Sequence, residues 1–438
     1  MSKKLIFSLV ACLLLVPLIF SACGPKEEAN VIKIGVIGPM TYVQGEHHWY
    51  GATMARDEIN AAGGIDVGGK KYQIELIKSD SNEILNPADS AAAMERLITV
   101  DKADFVVGGF RTEGVFAMQD VAMDYKKVFL GCGAATGALC TKVAEDYDRY
   151  KYWFRVTPFR DTNLVKNSLL TLGMAGAIMQ QGLGLPGPMK VAILAEKATW
   201  ADGMVTAYKQ YVPAMLKMEV VGDWRPSATA TDVTAELRAI EASGAHLILT
   251  IISGPVGIPY ARQLGELEIP VASVGINVEA QKDGFWEATE GYGNYETTLN
   301  TYAKGAAFTA KTNKFFNDFI AKYGQTPTYN AGTYDAIYLL KEAIERCDKL
   351  DSDAVVAELE KTDYQGAGGH IVFTGRDTDA PHDLTYGPGY ATGIATQWQD
   401  GEMKCVWPNL GVGEWAGIKY EGTVMWKIPD RVIKKYAK

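Results

Sequence analysis

Apolar and polar positions along this chain follow two alternating periods from residue 31 onward. Short continuous apolar runs, which are typical of buried parallel strands, alternate with segments whose apolar residues recur at helical spacing. The repeat is about thirty residues, which fits a strand, a helix and their connections. The pattern therefore predicts an α/β protein. Strands are predicted at Val31–Ile37, Tyr72–Ile77, Phe105–Val107, Val128–Leu130, Lys190–Ala195, Glu219–Trp224, His246–Ile252 and Val271–Gly275.

The helical segments fall between these strands. Gly51–Ala62 places Ala52, Ala55 and Ile59 on one face and is followed by two glycines, a common stop for a helix. Further helices are predicted at residues 86–100, 163–181, 202–216, 232–242, 256–267, 311–323, 331–347 and 353–361.

The strand–helix rhythm restarts after the extended segment Tyr152–Pro158, which predicts a second sheet. Beyond Asn277 the chain is expected to return to the first unit, and antiparallel strands are expected at Ile371–Phe373 and Ile394–Trp398. The prediction is two doubly wound parallel-sheet lobes joined by three crossings. Lobe 1 comprises residues 31–155 and 290–370, and lobe 2 comprises residues 156–289 and 371–438.

Two glycine-rich turns follow neighbouring predicted strands of lobe 1. They run from Gly108 to Thr112 and from Gly131 to Thr136. In an open α/β sheet, ligands bind outside the carboxyl ends of the strands, where helix N-termini present free N–H groups. The turns therefore predict an anion-binding edge, at which Thr112 and Thr136 serve as helix caps, as ligand contacts or as both.

The first 22 residues have the order of an export signal. Lys3 and Lys4 precede the apolar segment Leu5–Phe20, which is short for a membrane span, and Ser-Ala-Cys follows at 21–23. This order resembles a bacterial lipoprotein signal peptide, which implies lipidation at Cys23 and a polar tether over residues 23–30. A plain secretory signal or a short membrane anchor is the alternative.

Charge and motif content argue against several classes of protein. The chain has 43 Lys and Arg against 52 Asp and Glu, a net charge of −9, without a basic stripe, so nucleic-acid binding is not expected. It has no G-x-S-x-G elbow, Walker loop or H-E-x-x-H motif. His47-His48 and the acidic segment 376–383 do not match metal-site patterns. We expect no enzymatic activity, metal or cofactor.

Four cysteines remain beyond the predicted signal, at positions 132, 140, 347 and 405. In an exported protein they could pair as Cys132 with Cys140 and Cys347 with Cys405. Buried free thiols are the alternative, because free cysteine packs as a small hydrophobic residue. The sequence leaves both possibilities open.

Several short motifs stand in a characteristic order. They are IKIGVIGPMT at 32–41, INAAGGI at 59–65, the glycine-rich turn at 107–111, GAAT at 133–136, FRVTP at 154–158 and GTYDAIYLL at 332–340. Their order and spacing resemble the type I periplasmic binding proteins, specifically the branched-chain amino acid receptor family of ABC transporters. The likeness covers nearly all of residues 31–400. It implies two lobes that close over a small ligand, and a closed form that a membrane permease recognises.

The resemblance also implies which residues bind the ligand. Hydroxyl and backbone groups of the two lobe 1 turns would hold a carboxylate, and an aromatic residue of lobe 2 would lie over the ligand. The implied ligand-binding residues are Gln44, Arg111, Thr112, Glu113, Ala134, Ala135, Thr136, Trp200, Ser253 and Asn277.

Asn277 stands where amino-acid receptors of this family have an acidic residue. A buried ammonium group needs a compensating anion, and an asparagine brings no charge. Either Glu279 or Glu113 takes that role, or the ligand lacks an amine. Arg111 favours a carboxylate, because a guanidinium pairs with it bidentately.

The sequence thus predicts a lipid-anchored, extracytoplasmic solute receptor that presents a small ligand to an ABC permease. The expected ligand is a branched-chain or aromatic amino acid, or a related organic acid or amide. Two alternatives stay open, namely a sensor for a membrane signalling protein and an amide hydrolase on the same fold.

Overall fold

The computed structural model describes residues 30–411 and 413–437. Cys23 and the predicted signal segment lie outside the described residues. Strands of this part of the chain are β1 Val31–Gly38, β2 Ile65–Val67, β3 Lys70–Asp80, β4 Phe105–Gly108, β5 Phe129–Gly131, β6 Trp153–Arg155, β7 Lys190–Ala195, β8 Glu219–Trp224, β9 Leu247–Ile252, β10 Ala272–Asn277, β11 Thr297–Asn300, β12 Asp363–Gly366, β13 Gly369–Val372, β14 Ile394–Gln399 and β15 Glu402–Trp407.

The helices alternate with these strands as the periodicity predicts. The first begins earlier than expected, at Val43 rather than Gly51. The α-helices are Val43–Ala61, Asp89–Thr99, Thr112–Asp124, Ala138–Glu145, Tyr147–Tyr150, Asp161–Leu183, Thr199–Leu216, Thr234–Ala242, Gly257–Glu266, Phe285–Ala288, Thr312–Tyr323, Thr333–Cys347, Ser352–Leu359 and Asp430–Tyr436.

Two large sheets organise the described chain, and β12 and β13 form a separate two-stranded pair. The first has the strand order β2-β3-β1-β4-β5-β6, and all its pairings are parallel except that of β2 with β3. The second has the order β15-β14-β11-β10-β9-β7-β8, with β14 and β15 antiparallel to their neighbours. The α/β prediction is confirmed. We refer to each sheet with the helices packed on it as lobe 1 and lobe 2.

The second crossing falls later than the sequence suggested. Strand β11, Thr297–Asn300, pairs with β10 and β14 of the second sheet, so the chain returns to lobe 1 after residue 300 rather than at residue 290. The cause is local. This aromatic, glycine-rich stretch lacks the continuous apolar run by which the other strands of lobe 2 were recognised.

The third crossing also falls later than predicted, beyond residue 371. The backbone N–H of Arg155 in β6 donates to the carbonyl of His382, and the His382 ring stacks on Phe154 at 4.0 Å. A buried ion pair joins Arg155 Nε to Asp383 Oδ1 at 2.9 Å. The chain near residues 382 and 383 therefore still packs against lobe 1.

Two glycine-dependent close approaches shape the edge of the first sheet. Gly108 has φ 120°, and a Cβ there would lie 2.0 Å from the carbonyl oxygen of Ile37. A Cβ on Gly133 would lie 1.9 Å from the carbonyl oxygen of Gly109, so the turns after β4 and β5 lie directly against each other. Any larger residue would push the two turns apart.

The four cysteines of the described chain are free thiols. Cys132, Cys140 and Cys405 are buried, and Cys347 is partly buried. Of the two possibilities left open by the sequence, the structure shows the free thiols. Helices long and apolar enough to span a bilayer are absent between residues 30 and 437, residue 412 aside.

Candidate functional site

A cavity lies between the two sheets at the carboxyl ends of β4, β5, β10 and β11. It contains about 660 Å³ of space free of protein atoms, part of which is open to solvent. Most of its wall is apolar or aromatic, with polar side chains at a few positions. The wall consists of Phe110, Arg111, Thr112, Gly133, Ala135, Pro158, Phe159, Leu164, Asn167, Trp200, Ser253, Ile276, Val278, Gln281, Leu299, Asn300, Thr301 and Tyr329.

The turn after β4 has its own internal anion. The carboxylate of Glu83 is fully buried and accepts the backbone N–H groups of Phe110, at 3.1 Å, and Arg111, at 2.6 Å, as well as the Ser81 hydroxyl at 2.9 Å. Burial raises the pKa of Glu83 to about 7, although these hydrogen bonds and the Arg111 charge oppose the shift. These two backbone donors are therefore occupied, and the cavity is left with the side chains of Arg111 and Thr112.

The turn after β5 is held from behind by a buried arginine. Arg155 donates to the carbonyl groups of Ala134 and, at 2.5 Å, Thr136. Ala135 lines the cavity, whereas Ala134 and Thr136 are not part of its wall. The Thr136 hydroxyl instead accepts from the Ala138 N–H at 3.4 Å, at the first residue of the next helix, whose N-cap position is Gly137.

Glu196 organises the lobe 2 side of the site, directly after β7. Its Oε1 accepts from the Trp200 indole N–H at 2.8 Å and from the Ser253 hydroxyl at 2.5 Å. Its Oε2 accepts the backbone N–H groups of Ser253, at 3.0 Å, and Gly254, at 2.6 Å. Four donors thus saturate a carboxylate that is 0% exposed.

Arg111 reaches across from lobe 1 to this carboxylate. Its Nη1 lies 3.4 Å from the Ser253 hydroxyl and 3.8 Å from Glu196 Oε1, and its Nε lies 4.0 Å from Glu113 Oε2. The Arg111 side chain is only 15% exposed. Because a guanidinium carries five N–H donors, most of its hydrogen-bonding capacity lacks a close partner among the described residues.

Tyr329 adds a phenol to the Arg111 end of the cavity. The residue as a whole is 7% exposed. Burial raises the pKa of Tyr329 well above its usual range, against the Arg111 charge and with a contribution from Glu196. The hydroxyl therefore stays protonated and remains able to donate a hydrogen bond.

Asn277 lies behind the cavity wall. It is 0% exposed, and its Nδ2 donates to the Gly257 carbonyl and to Glu296 Oε1, both at 3.1 Å. Burial raises the pKa of Glu296 to about 7. The neighbours Ile276 and Val278 line the cavity instead. A strand side chain and its immediate neighbours point to opposite faces, so one register step decides which residues reach the site.

The remaining predicted residues lie near the site but outside its wall. Gln44 is buried at the start of the first helix. Glu113 lines a second, more open pocket at the cleft mouth, where its Oε1 accepts the Thr199 N–H of lobe 2 at 3.3 Å. Of the ten predicted residues, the structure brings five together in one wall, namely Arg111, Thr112, Ala135, Trp200 and Ser253.

Sequence reasoning missed Glu196, Gln281 and Tyr329. Glu196 directly follows a predicted buried strand, so the rule that placed the lobe 1 turns could have found it. Gln281 and Tyr329 follow no comparable signal, because both belong to short 3₁₀ turns positioned by tertiary packing.

A separate contact joins the lobes away from Arg111. The Asp283 carboxylate of lobe 2 accepts both the backbone N–H of Thr326 and its hydroxyl, the latter at 2.5 Å. Thr326 follows the helix Thr312–Tyr323, which packs on the first helix of lobe 1. Asp283 thus fastens the second lobe to the first.

Comparisons with known proteins agree with this architecture. The sequence profile described as "Periplasmic binding protein" matches residues 31–387. A Leu/Ile/Val-binding protein homolog of Brucella melitensis is 23% identical over 394 residues, covering 86% of this chain and 91% of the relative.

Two solved structures share the fold. One is the branched-chain amino acid transporter substrate binding protein LivJ of Streptococcus pneumoniae in complex with isoleucine, with 21% identity, a TM-score of 0.70, and coverage of 85% of this chain and 98% of the other. The other is a solute binding protein from R. palustris in complex with benzoate, with 18% identity, a TM-score of 0.67, and coverage of 89% and 100%. The chain therefore belongs to the periplasmic binding protein family and has the type I fold of branched-chain amino acid transporter binding proteins.

Proposed function

We propose that this protein is an extracytoplasmic solute receptor that captures a small carboxylic acid with an apolar body between its lobes and presents it to an ABC permease. The observation that carries this proposal is Arg111, a mostly buried guanidinium in the cavity wall with only long contacts to its neighbours. A ligand carboxylate would supply the bidentate partner that it lacks.

The wall composition favours an acid without an amine over an amino acid. Among the described residues, neither Asp nor Glu lines the cavity, and the nearby Glu196 is saturated by four donors. An ammonium group would be buried there without a counter-charge, which costs several kcal/mol. Branched-chain or aromatic amino acids remain the second candidates, because the isoleucine complex of LivJ shares this fold.

Closure would follow from contacts made by both lobes. Arg111 and Thr112 come from lobe 1, and Trp200 and Ser253 come from lobe 2. A ligand that touches all four gains its full binding free energy only when the lobes are together, so binding shifts the population toward the closed form. The permease would recognise that form.

Calorimetric titration with matched pairs of ligands tests the proposal. Leucine and 4-methylpentanoate differ only by the amine, and benzoate provides an aromatic acid. We expect both acids to bind more tightly than leucine, and Arg111→Gln to lose at least about tenfold in affinity, the equivalent of one charge-assisted hydrogen bond. Arg238→Gln, on an exposed helix of lobe 2, is the matched control. Wild-type protein that binds none of the three, or Arg111→Gln that binds like wild type, would contradict the proposal.

The membrane anchor is proposed from sequence alone. Cys23 would carry lipid and hold the receptor outside the cytoplasm. Metabolic labelling of expressing cells with an alkyne fatty acid should mark the wild-type chain and leave Cys23→Ser unmarked. Equal labelling of both chains would remove the lipoprotein assignment while leaving the ligand site untouched.

Two other functions make different predictions. A hydrolase would alter its ligand, whereas a receptor should return it unchanged on denaturation, as mass spectrometry can show. A sensor would bind the same ligand but dock on a signalling protein, which crosslinking in the native membrane can distinguish from a permease.

A further inference from the structure

One polar group of the cavity wall is buried without a partner. Gln281 ends the 3₁₀ turn after β10 and is 3% exposed. Its Nε2 donates to the Leu299 carbonyl of the neighbouring strand at 2.8 Å. Its Oε1 has no hydrogen-bond partner in the described part of the chain.

The orientation of this amide is fixed by its neighbour. A backbone carbonyl can only accept, so the amide nitrogen must face Leu299 and the oxygen must face elsewhere. A flip would place two acceptors against each other. An unsatisfied buried acceptor destabilises the folded chain, so a bound molecule that donates to it is favoured.

A second polar group lies two residues beyond Leu299. Thr301 is 6% exposed and lines the cavity, and its hydroxyl forms none of the side-chain hydrogen bonds found among the described residues. In contrast, the amides of Asn167 and Asn300 are engaged. Asn167 Nδ2 donates to the Thr392 carbonyl at 3.0 Å, and Asn300 Oδ1 accepts the Thr301 N–H at 2.8 Å.

The polar groups of the wall thus form two sets with different chemistry. Arg111, Ser253 and the Trp200–Glu196 pair are joined by contacts with one another and favour an anion. Gln281 and Thr301 are neutral. Both lie in the part of the wall that contains Leu299, to whose carbonyl Gln281 donates. An amide oxygen accepts, while a threonine hydroxyl both donates and accepts. A ligand hydroxyl, which also donates and accepts, satisfies both.

We propose that Gln281 and Thr301 form a hydroxyl subsite, and that the ligand is therefore a hydroxy-substituted carboxylic acid. This inference rests on the proposed function, since it assumes that the carboxylate of the same ligand meets Arg111. Gln281 then acts as the specificity-determining acceptor. A cationic amine in place of the hydroxyl would meet no carboxylate among the described residues of the cavity wall.

Titration of benzoate and its 2-, 3- and 4-hydroxy isomers into the purified protein tests the subsite. We expect at least one isomer to bind about tenfold more tightly than benzoate, the gain that satisfying a buried acceptor provides. Gln281→Met keeps the size of the side chain and removes the amide. In this variant the preferred isomer should fall to within about twofold of benzoate, while benzoate itself should change little.

Two further variants make the test specific. Thr301→Val preserves shape and should remove part of the same preference. Gln180→Met is the matched control, because Gln180 also donates to a backbone carbonyl, that of Gly187 at 3.0 Å, but lies on the surface outside the cavity. Thermal unfolding of each variant establishes that it is folded.

The outcomes separate this inference from the proposed function. The hydroxyl subsite is wrong if the acids bind with Arg111-dependent affinity but without preference among isomers. It is also wrong if the preference survives in both Gln281→Met and Thr301→Val. In either case the proposed receptor function is retained. If none of the acids binds, both proposals fall together.

Discussion

Arg111 and Glu196 lie on opposite lobes, and the closest atoms of their side chains, Nη1 and Oε1, are 3.8 Å apart. Both groups are largely buried, yet the pair is too long for a close hydrogen bond. Glu196 is saturated by other donors, whereas Arg111 is not. Arg111 is therefore available to bind a ligand, whereas the Glu196 carboxylate holds the surrounding donors in place.

Removal of the Glu196 charge should destabilise the protein. In Glu196→Gln, the new amide NH₂ would face donors that now meet a carboxylate oxygen, so at least one would lose its acceptor. We expect a loss of about 1–3 kcal/mol in the free energy of unfolding. Urea denaturation measures it, with the exposed Glu219→Gln as control. A variant as stable as the control would show that the network around Glu196 is dispensable.

Trp200 and Thr136 should differ in their effect on binding. Trp200 lines the cavity, whereas Thr136 lies outside its wall and its hydroxyl accepts from the Ala138 N–H. We expect Trp200→Ala to weaken benzoate binding by about fivefold or more, because an aromatic wall contributes about 1 kcal/mol or more. Thr136→Ala should leave the affinity within about twofold. Calorimetry compares the two. A larger effect at Thr136 would restore that residue to the site.

The contact between Asp283 and Thr326 should control ligand release. Asp283→Ala removes both hydrogen bonds that fasten lobe 2 to lobe 1 at this point. Because these contacts do not touch the cavity, the variant should dissociate its ligand roughly three- to tenfold faster with little change in the association rate. Stopped-flow measurement of both rates, beside the exposed control Asp377→Ala, checks this. An unchanged dissociation rate would mean that the contact has no part in closure.

Stability should fall as pH rises through the range in which Glu83 titrates. Its pKa is about 7 in the folded protein, against 4.5 for an ordinary glutamate. Between these values the folded state binds more protons than the unfolded state, so the free energy of unfolding decreases with pH and levels off above about 7. Glu296 adds to the same trend.

Glu83→Gln cannot ionise and should remove its share of this decrease, on the order of 3 kcal/mol or less. Denaturant unfolding at pH 5, 6, 7 and 8 compares the slopes, with the exposed Glu75→Gln as control. The slope is the informative quantity, because the substitution also weakens the hydrogen bonds to Phe110 and Arg111. Identical slopes in Glu83→Gln and wild type would contradict the prediction.

The sequence alone determined the class of fold and the edge of the sheet at which the cavity lies. Strand and helix periodicities depend only on residues close together in the sequence. The glycines at 108, 109 and 133 indicate where turns approach each other closely. The carboxyl ends of parallel strands meet at one edge, so Arg111, Thr112 and Ala135 could be placed near a ligand from their position in the chain.

The tertiary structure decided which groups at that edge are available. Glu83 occupies two N–H groups of a turn that the sequence predicted to bind an anion, and Asn277 faces Glu296 behind the wall instead of the cavity. Trp200 and Ser253 gain their acceptor from Glu196, and Gln281 keeps an oxygen that no other described residue contacts by a hydrogen bond. Hydrogen-bond saturation and side-chain direction depend on residues far apart in sequence, because burial leaves each polar group to find its partner wherever the packed chain supplies one.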